Sequence, residues 1–223
     1  MNERRSVTIR VLTAVSLVAV LATAGHAAVT LDFEGLQDRE AVSEFYNGGL
    51  GGNGSGPGAN HGVTFSPNAL AVIDADAGGT GNFGGEPSPS TALFFLSGEA
   101  ATLNYAAGYN SAFSVHYSAI ANPGEIRVYD GLNGTGSLLA TLDLPLTPDT
   151  GAPDPTGRYS PFVPVGVTFS GVARSVDFGG TADRIAFDDI TFGSDEPGVI
   201  PEPGTLALLG IGGLGLLRRR RSA

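Results

Sequence analysis

Cysteine is absent from the 223 residues. That excludes a disulfide framework, thiol catalysis and any thiolate metal site. Lysine is absent as well, since all the basic residues are Arg, so a phosphate loop of the Gly-x-x-x-x-Gly-Lys kind cannot be built. Tryptophan is missing, which leaves Tyr as the ring for stacking on a sugar. Charged residues make up only 15% of the chain, and no helical periodicity of useful length runs between its two ends. What is abundant is Gly, at 34 residues, with 14 Pro and 12 Phe. This composition fits many short strands joined by turns.

The basic residues are concentrated at the ends. Arg4, Arg5 and Arg10 open the chain and Arg218, Arg219, Arg220 and Arg221 nearly close it. Between Ala28 and Ile200, 5 Arg stand against 20 Asp and Glu, a net charge of −15. Nucleic acid is therefore excluded as a partner, because it calls for phosphate-neutralising cations. Metal cations fit such a segment, and the charge also keeps an exported protein soluble.

The N-terminus has a basic start followed by an apolar run from Val11 to Leu21 and small residues at Gly25-His26-Ala27. This is the layout of a secretory signal peptide over residues 1–27, cleaved after Ala27 or, second, after Ala28. Arg4-Arg5 lacks the apolar pair of a twin-arginine signal, so the general secretory route is expected. At the other end Pro201-Glu202-Pro203 precedes an apolar run from Gly204 to Leu217, then the four Arg. At about 1.5 Å per residue that run reaches roughly 21 Å as a helix, short of the ~30 Å hydrocarbon core. A short apolar helix with a basic stop suits a temporary tether, its Arg cluster held in the cytoplasm.

The order of motif, apolar helix and Arg cluster in residues 201–223 resembles the PEP-CTERM sorting signal of Gram-negative bacteria. The resemblance implies recognition by an exosortase, a membrane transpeptidase, with Pro201, Glu202 and Pro203 as recognition residues. It also implies a precursor tethered transiently to the inner membrane by way of the secretion machinery. The protein would then reach the cell surface or extracellular matrix. Family members are commonly associated with extracellular polysaccharide and biofilm.

Between the ends, short apolar stretches alternate with turn clusters, and residues 28–194 are expected to form one β domain, followed by a linker at 195–200. Strands are expected at Val29–Phe33, Gly62–Phe65, Ala69–Ile73, Ala92–Leu96, Ala101–Tyr105, Ala112–Ala119, Glu125–Tyr129, Leu138–Leu142, Val163–Phe169, Arg174–Phe178 and Arg184–Phe192. Phe113-Ser114-Val115-His116-Tyr117 alternates with period two, the mark of a strand with one face buried. Asp130 to Gly136 is a turn cluster between two such strands, a hairpin signal. The expected fold class is an all-β antiparallel sandwich, jelly-roll-like, with a signal helix and a short C-terminal hydrophobic helix added at the ends. Gly-rich Asn47–His61, Asp74–Ser90 and Pro-rich Thr147–Tyr159 are expected as long loops.

The first and last strands, Leu31-Asp32-Phe33-Glu34-Gly35 and Ile185 to Phe192, look like those of other PEP-CTERM passenger domains. More loosely they resemble galactose-binding-like jelly rolls of carbohydrate-binding modules. That resemblance implies a structural calcium joining the two strands, held by Glu34 and Asp189 first, with Asp32 and Asp188 as weaker candidates. Residues 32 and 34 of a strand share a face whereas 188 and 189 do not. Asp74 to Gly79 begins like a helix-loop-helix calcium loop but places Gly78 and Gly85 where ligands are needed.

Little supports catalysis. After the signal segment only His61 and His116 remain as imidazoles, too few for a zinc site without Cys. No Gly-x-Ser-x-Gly elbow occurs. Tyr46, Tyr105, Tyr109, Tyr117 and Tyr159 are candidate sugar-stacking rings, although sandwich tyrosines more often pack in the core. The expectation is a non-catalytic exported surface or matrix protein associated with polysaccharide. A carbohydrate-binding module for the cell's own exopolysaccharide is the first alternative, and an extracellular hydrolase or lyase the second.

Overall fold

A computed structural model describes residues 28–150 and 157–198. The expected signal helix, the C-terminal helix, Pro201, Glu202, Pro203 and Arg218 to Arg221 lie outside the described residues. Within them every regular element is a strand: β1 (Val29–Leu31), β2 (Glu40–Ala41), β3 (Val63–Phe65), β4 (Ala69–Ile73), β5 (Thr91–Phe95), β6 (Ala100–Ser118), β7 (Gly124–Tyr129), β8 (Leu138–Leu144), β9 (Val163–Gly179) and β10 (Ala186–Phe192). All the pairings between these strands are antiparallel.

The hydrogen-bonded order is β2-β4-β5-β10-β6-β9-β7-β8, with β1 beside β10 and β3 beside β6. Two long strands make this one path into two layers. Ala100 to Asn104 of β6 pair with Ser175 to Gly179 of β9, and Ser111 to Tyr117 pair with Val163 to Phe169; the register breaks around Tyr109. The layer built on Ala100–Asn104 and Ser175–Gly179 carries β3, β7 and β8, and the layer built on Ser111–Tyr117 and Val163–Phe169 carries β10, β5, β4 and β2. At the break, Ser111 and Gly171 have φ of 80° and 107°, and a Cβ on Gly108 would stand 2.4 Å from Val172. Glycine suits position 108 because its φ is 76° and a Cβ would press into Val172 of the paired strand.

The layers meet through apolar residues of the alternating strands. Phe178 of β9 packs against Phe113 and Phe187 of the other layer, with ring centroids 6.1 and 5.1 Å apart, and all three are fully buried. Removing such a ring costs about 3–5 kcal/mol. A second, smaller cluster of Val72, Phe83, Ala92, Phe94, Tyr159, Phe162 and Ala186 covers the opposite face of β4, β5 and β10. It explains why β5 is buried at all five positions and does not alternate.

The sandwich architecture and the β7–β8 hairpin agree with the sequence expectation. Differences fall at specific places. Ala101–Tyr105 and Ala112–Ala119 are one strand, as are Val163–Phe169 and Arg174–Phe178. Their Gly-containing gaps read as turns but are bends within continuous strands. β2 was not expected, because two residues carry no periodicity. β1 stops at Leu31, since Phe33 adopts φ of 62° and turns the chain out of the strand. The first part of the expected linker folds back on the domain: Gly198 N–H donates to Thr191 Oγ1 at 3.0 Å, and the Asp195 carbonyl lies where a Cβ of Gly166 would stand.

Candidate functional site

The first and last strands pair directly, with Leu31 opposite Ile190. Just past this pair, β10 carries a bulge between Asp188 and Thr191, where Asp189 adopts φ of 49°. The bulge separates the two neighbouring carboxylates. Asp188 is fully buried, while Asp189 is part-buried and turned toward His116, its Oδ2 3.8 Å from Nδ1.

Burial pushes the His116 imidazole below its usual value. Burial, and then the charge of Asp32, raise the Asp189 carboxyl. Both shifts favour the neutral forms, so this contact is not a strong ion pair. His116 Nδ1 has no hydrogen-bond partner among the described residues.

Asp188 sits in a cluster of oxygens that the chain assembles from three distant segments. Ser88 donates its backbone N–H to Asp188 Oδ2 at 2.9 Å, and Asp189 N–H donates to Oδ1 at 2.7 Å. Ser88 Oγ lies 2.9 and 2.8 Å from the two carboxylate oxygens, 3.1 Å from the Asp32 carbonyl and 3.2 Å from the Thr91 carbonyl. A hydroxyl carries one hydrogen. With Asp188 ionised, Ser88 therefore satisfies one of these four acceptors and turns lone pairs toward the rest. Burial, the largest influence, and the Asp189 charge push the Asp188 carboxyl up to about 8, against the hydrogen bonds from Ser88 and Asp189. A proton on Asp188 would relieve this crowding of acceptors around Ser88 Oγ.

Such a cluster fits calcium in chemical type, because calcium is bound by carboxylate and carbonyl oxygens. Among the described residues no three His, Cys, Asp or Glu side chains form a metal-holding group, so a cation here would rest on main-chain carbonyls as well as Asp188. The four expected carboxylates take different places. Asp188 enters the cluster by its side chain and Asp32 by its carbonyl. Glu34 Oε1 accepts the Ser90 and Thr91 backbone N–H groups, both at 2.8 Å, which ties the loop before β5 to the end of β1. Asp189 faces His116. The strand rule that put residues 32 and 34 on one face does not apply, because β1 has already ended.

Tyr46 completes the surroundings. Its hydroxyl accepts the Phe33 N–H at 2.6 Å and donates to Asp32 Oδ1 at 3.3 Å. Burial first, and the Asp32 charge second, raise its phenol far above the usual range. Tyr46, Tyr105, Tyr109, Tyr117 and Tyr159 are all buried, so none offers an open stacking platform. Ser88 and Thr91 were not singled out from the sequence. Their contacts come from a Pro- and Ser-rich loop whose partner in the last strand no local pattern reveals.

Beyond the sheet, the tail carries the decisive sequence feature: residues 199–221 match the family model for the PEP-CTERM protein-sorting motif. The tail is a PEP-CTERM sorting motif. A chain bearing this motif is an exported protein, and its passenger is the β domain described above. No curated protein is significantly similar in sequence to the chain. Among solved structures, the chain is similar to CsCBM6-3 from Clostridium stercorarium in complex with cellobiose, at 16% identity and a TM-score of 0.36, covering 57% of this chain and 82% of that one. It is also similar to the carbohydrate-binding module CBM6cm-2 of Cellvibrio mixtus lichenase 5A in complex with cellotriose, at 12% and 0.34, covering 56% and 85%. The K3 adhesin domain of Lys-gingipain from Porphyromonas gingivalis gives 13% and 0.32, covering 75% and 91%. Likenesses this loose carry nothing about ligands.

Proposed function

We propose that this is a non-catalytic surface or matrix protein, delivered by its PEP-CTERM tail and associated there with the cell's own polysaccharide. The observation that carries the reading is the sorting motif at residues 199–221 behind an acidic β domain. An exosortase would recognise Pro201, Glu202 and Pro203, while Arg218 to Arg221 hold the tail's end in the cytoplasm until the tail is removed. Calcium at the Asp188 cluster would neutralise the buried carboxylate and pin the last strand to the Asp32 turn and the Ser88 loop. Its role would be structural, fixing one end of the sandwich.

The test is retention of the purified protein on polysaccharide from the producing cells, with released sugar assayed in the supernatant. Saturable retention without new reducing ends is expected. New reducing ends would replace this reading with the hydrolase or lyase alternative, and no retention would overturn the polysaccharide association.

A further inference from the structure

A cavity of about 200 Å³ opens beside β4 and β5 and shares no lining residue with the Asp188 cluster. Its apolar wall is made by Val72, Phe94 and Tyr159, and its polar rim includes Arg39, Asn82 and Asp183. Drug-sized ligands occupy roughly 300–1,000 Å³, so this cavity takes something nearer a single sugar ring.

The charge at its rim is unusual for so acidic a domain. Of the domain's five arginines, Arg127 pairs with Glu125 and Arg158 with Asp149, Arg174 donates to the Asp130 carbonyl, and Arg184, outside the cavity lining, has no ion pair among the described residues. Arg39 makes no ion pair with a described carboxylate. Its Nε donates to Thr80 Oγ1 at 2.9 Å, and Thr80 in turn donates to Asp38 Oδ2 at 2.8 Å. The other oxygen of Asp38 accepts the Ile73 N–H at 2.9 Å. The neighbouring carboxylate is thus spent on holding Thr80 and β4, and Thr80 orients the guanidinium. Arg39 also has φ of 56°, a left-handed conformation uncommon for a long side chain and found where surrounding structure imposes it. At the rim, Asn82 Oδ1 accepts the Arg158 N–H at 3.0 Å, which leaves the Asn82 amide nitrogen as a donor.

We propose that this cavity binds a sugar ring bearing a carboxylate, a hexuronate unit, with Arg39 as the carboxylate anchor. The two terminal nitrogens of a guanidinium match the two oxygens of a carboxylate, which a neutral hexose lacks. Val72, Phe94 and Tyr159 are buried and show the cavity only their edges, so they bound a sugar ring without stacking on it, while Asn82 and Asp183 supply a donor and an acceptor for its hydroxyls. The assignment deepens the polysaccharide reading by naming the sugar class, but it rests on the cavity's own geometry.

The probes are methyl β-D-glucuronide and methyl β-D-glucoside, which differ only in the carboxylate, titrated calorimetrically into the purified full chain. The glucuronide is expected to bind at least about tenfold more tightly, the scale of one charge-assisted pair. R39Q should remove that preference while leaving the thermal midpoint unchanged, and R39K should restore it only in part. Equal affinity of the wild type for the two glycosides, or no binding of either, overturns the assignment whatever the variants do. So does a glucuronide preference that survives in R39Q. Retention on native polysaccharide without a glucuronide preference sinks this inference and leaves the surface-protein reading standing. Glucuronide binding without retention does the reverse.

Discussion

Ser88 offers both its backbone N–H and its hydroxyl to the buried carboxylate of Asp188, 100 residues further along the chain. This contact joins a Pro-rich loop to the last strand. The same hydroxyl touches the carbonyl at the end of the first strand. D188A would leave the Ser88 and Asp189 N–H groups without acceptors inside the protein, and is expected to cost about 2–4 kcal/mol. D188N keeps one acceptor oxygen and should cost less than half as much. Urea unfolding of the two variants checks the order; equal losses would mean that the carboxylate's hydrogen bonds do not matter.

Calcium and a proton are alternative ways to settle the oxygen cluster around Asp188. If calcium takes the place, about a hundredfold excess over its dissociation constant should raise the unfolding midpoint by roughly 5–10 °C in a domain of this size. Magnesium should do less, because it demands tighter octahedral geometry. D188N should abolish the shift. A midpoint indifferent to calcium and to chelator would leave the proton as the cluster's counter-charge.

Glu40 explains how a Gly-rich loop is held in one shape. Its carboxylate is fully buried, accepting the Asn53 and Ser55 N–H groups at 2.8 and 3.0 Å on Oε1 and the Gln37 N–H at 2.7 Å on Oε2. Burial raises its carboxyl, but the hydrogen bonds from Ser55, Gln37 and Asn53 outweigh it, and the net direction is below the ordinary 4.5. A carboxyl held lower in the folded than in the unfolded state adds stability that is fully present above the unfolded value. That contribution disappears as pH falls through the folded one. Stability should therefore drop below about pH 4.5 more steeply in the wild type than in E40Q. Parallel acid limbs for the two proteins, read by thermal melts across pH 3–6, would contradict this.

Tyr109 carries the opposite kind of group. Its ring packs against Phe192, Phe169 and Phe113 at the bend of the long strands, and its hydroxyl is buried with no partner among the described residues. An unsatisfied buried hydroxyl costs about 1–3 kcal/mol, so Y109F should be neutral or stabilising. Denaturant titration decides; a loss of more than about 1 kcal/mol would reveal a hydrogen bond that the described contacts do not contain.

The alternation of Phe113, Val115 and Tyr117 was enough to place a one-sided strand and its core face. What stayed hidden was long-range. Ala106-Ala107-Gly108 reads as a turn, yet β6 runs through it, because pairing with β9 resumes beyond the irregular stretch. The sequence reading groups Asp32, Glu34, Asp188 and Asp189 as candidate calcium ligands, whereas the structure sends their side chains to different partners. That division depends on the left-handed turn at Phe33 and the bulge at Asp189, two backbone irregularities that period-two reasoning cannot foresee. Ser88 gave no local signal at all. The sorting tail was fully legible, since its order of motif, apolar run and basic stop is contained in consecutive residues.

The most direct measurement is the intact mass of the protein recovered from the surface and matrix fractions of the producing cells. The account predicts a species that has lost both the signal segment and the residues beyond the Pro201-Glu202-Pro203 motif. A P201A/E202A/P203A variant should instead stay in the membrane fraction with its Arg cluster attached. Matrix protein that retains the full tail, or unchanged delivery of the variant, would contradict it.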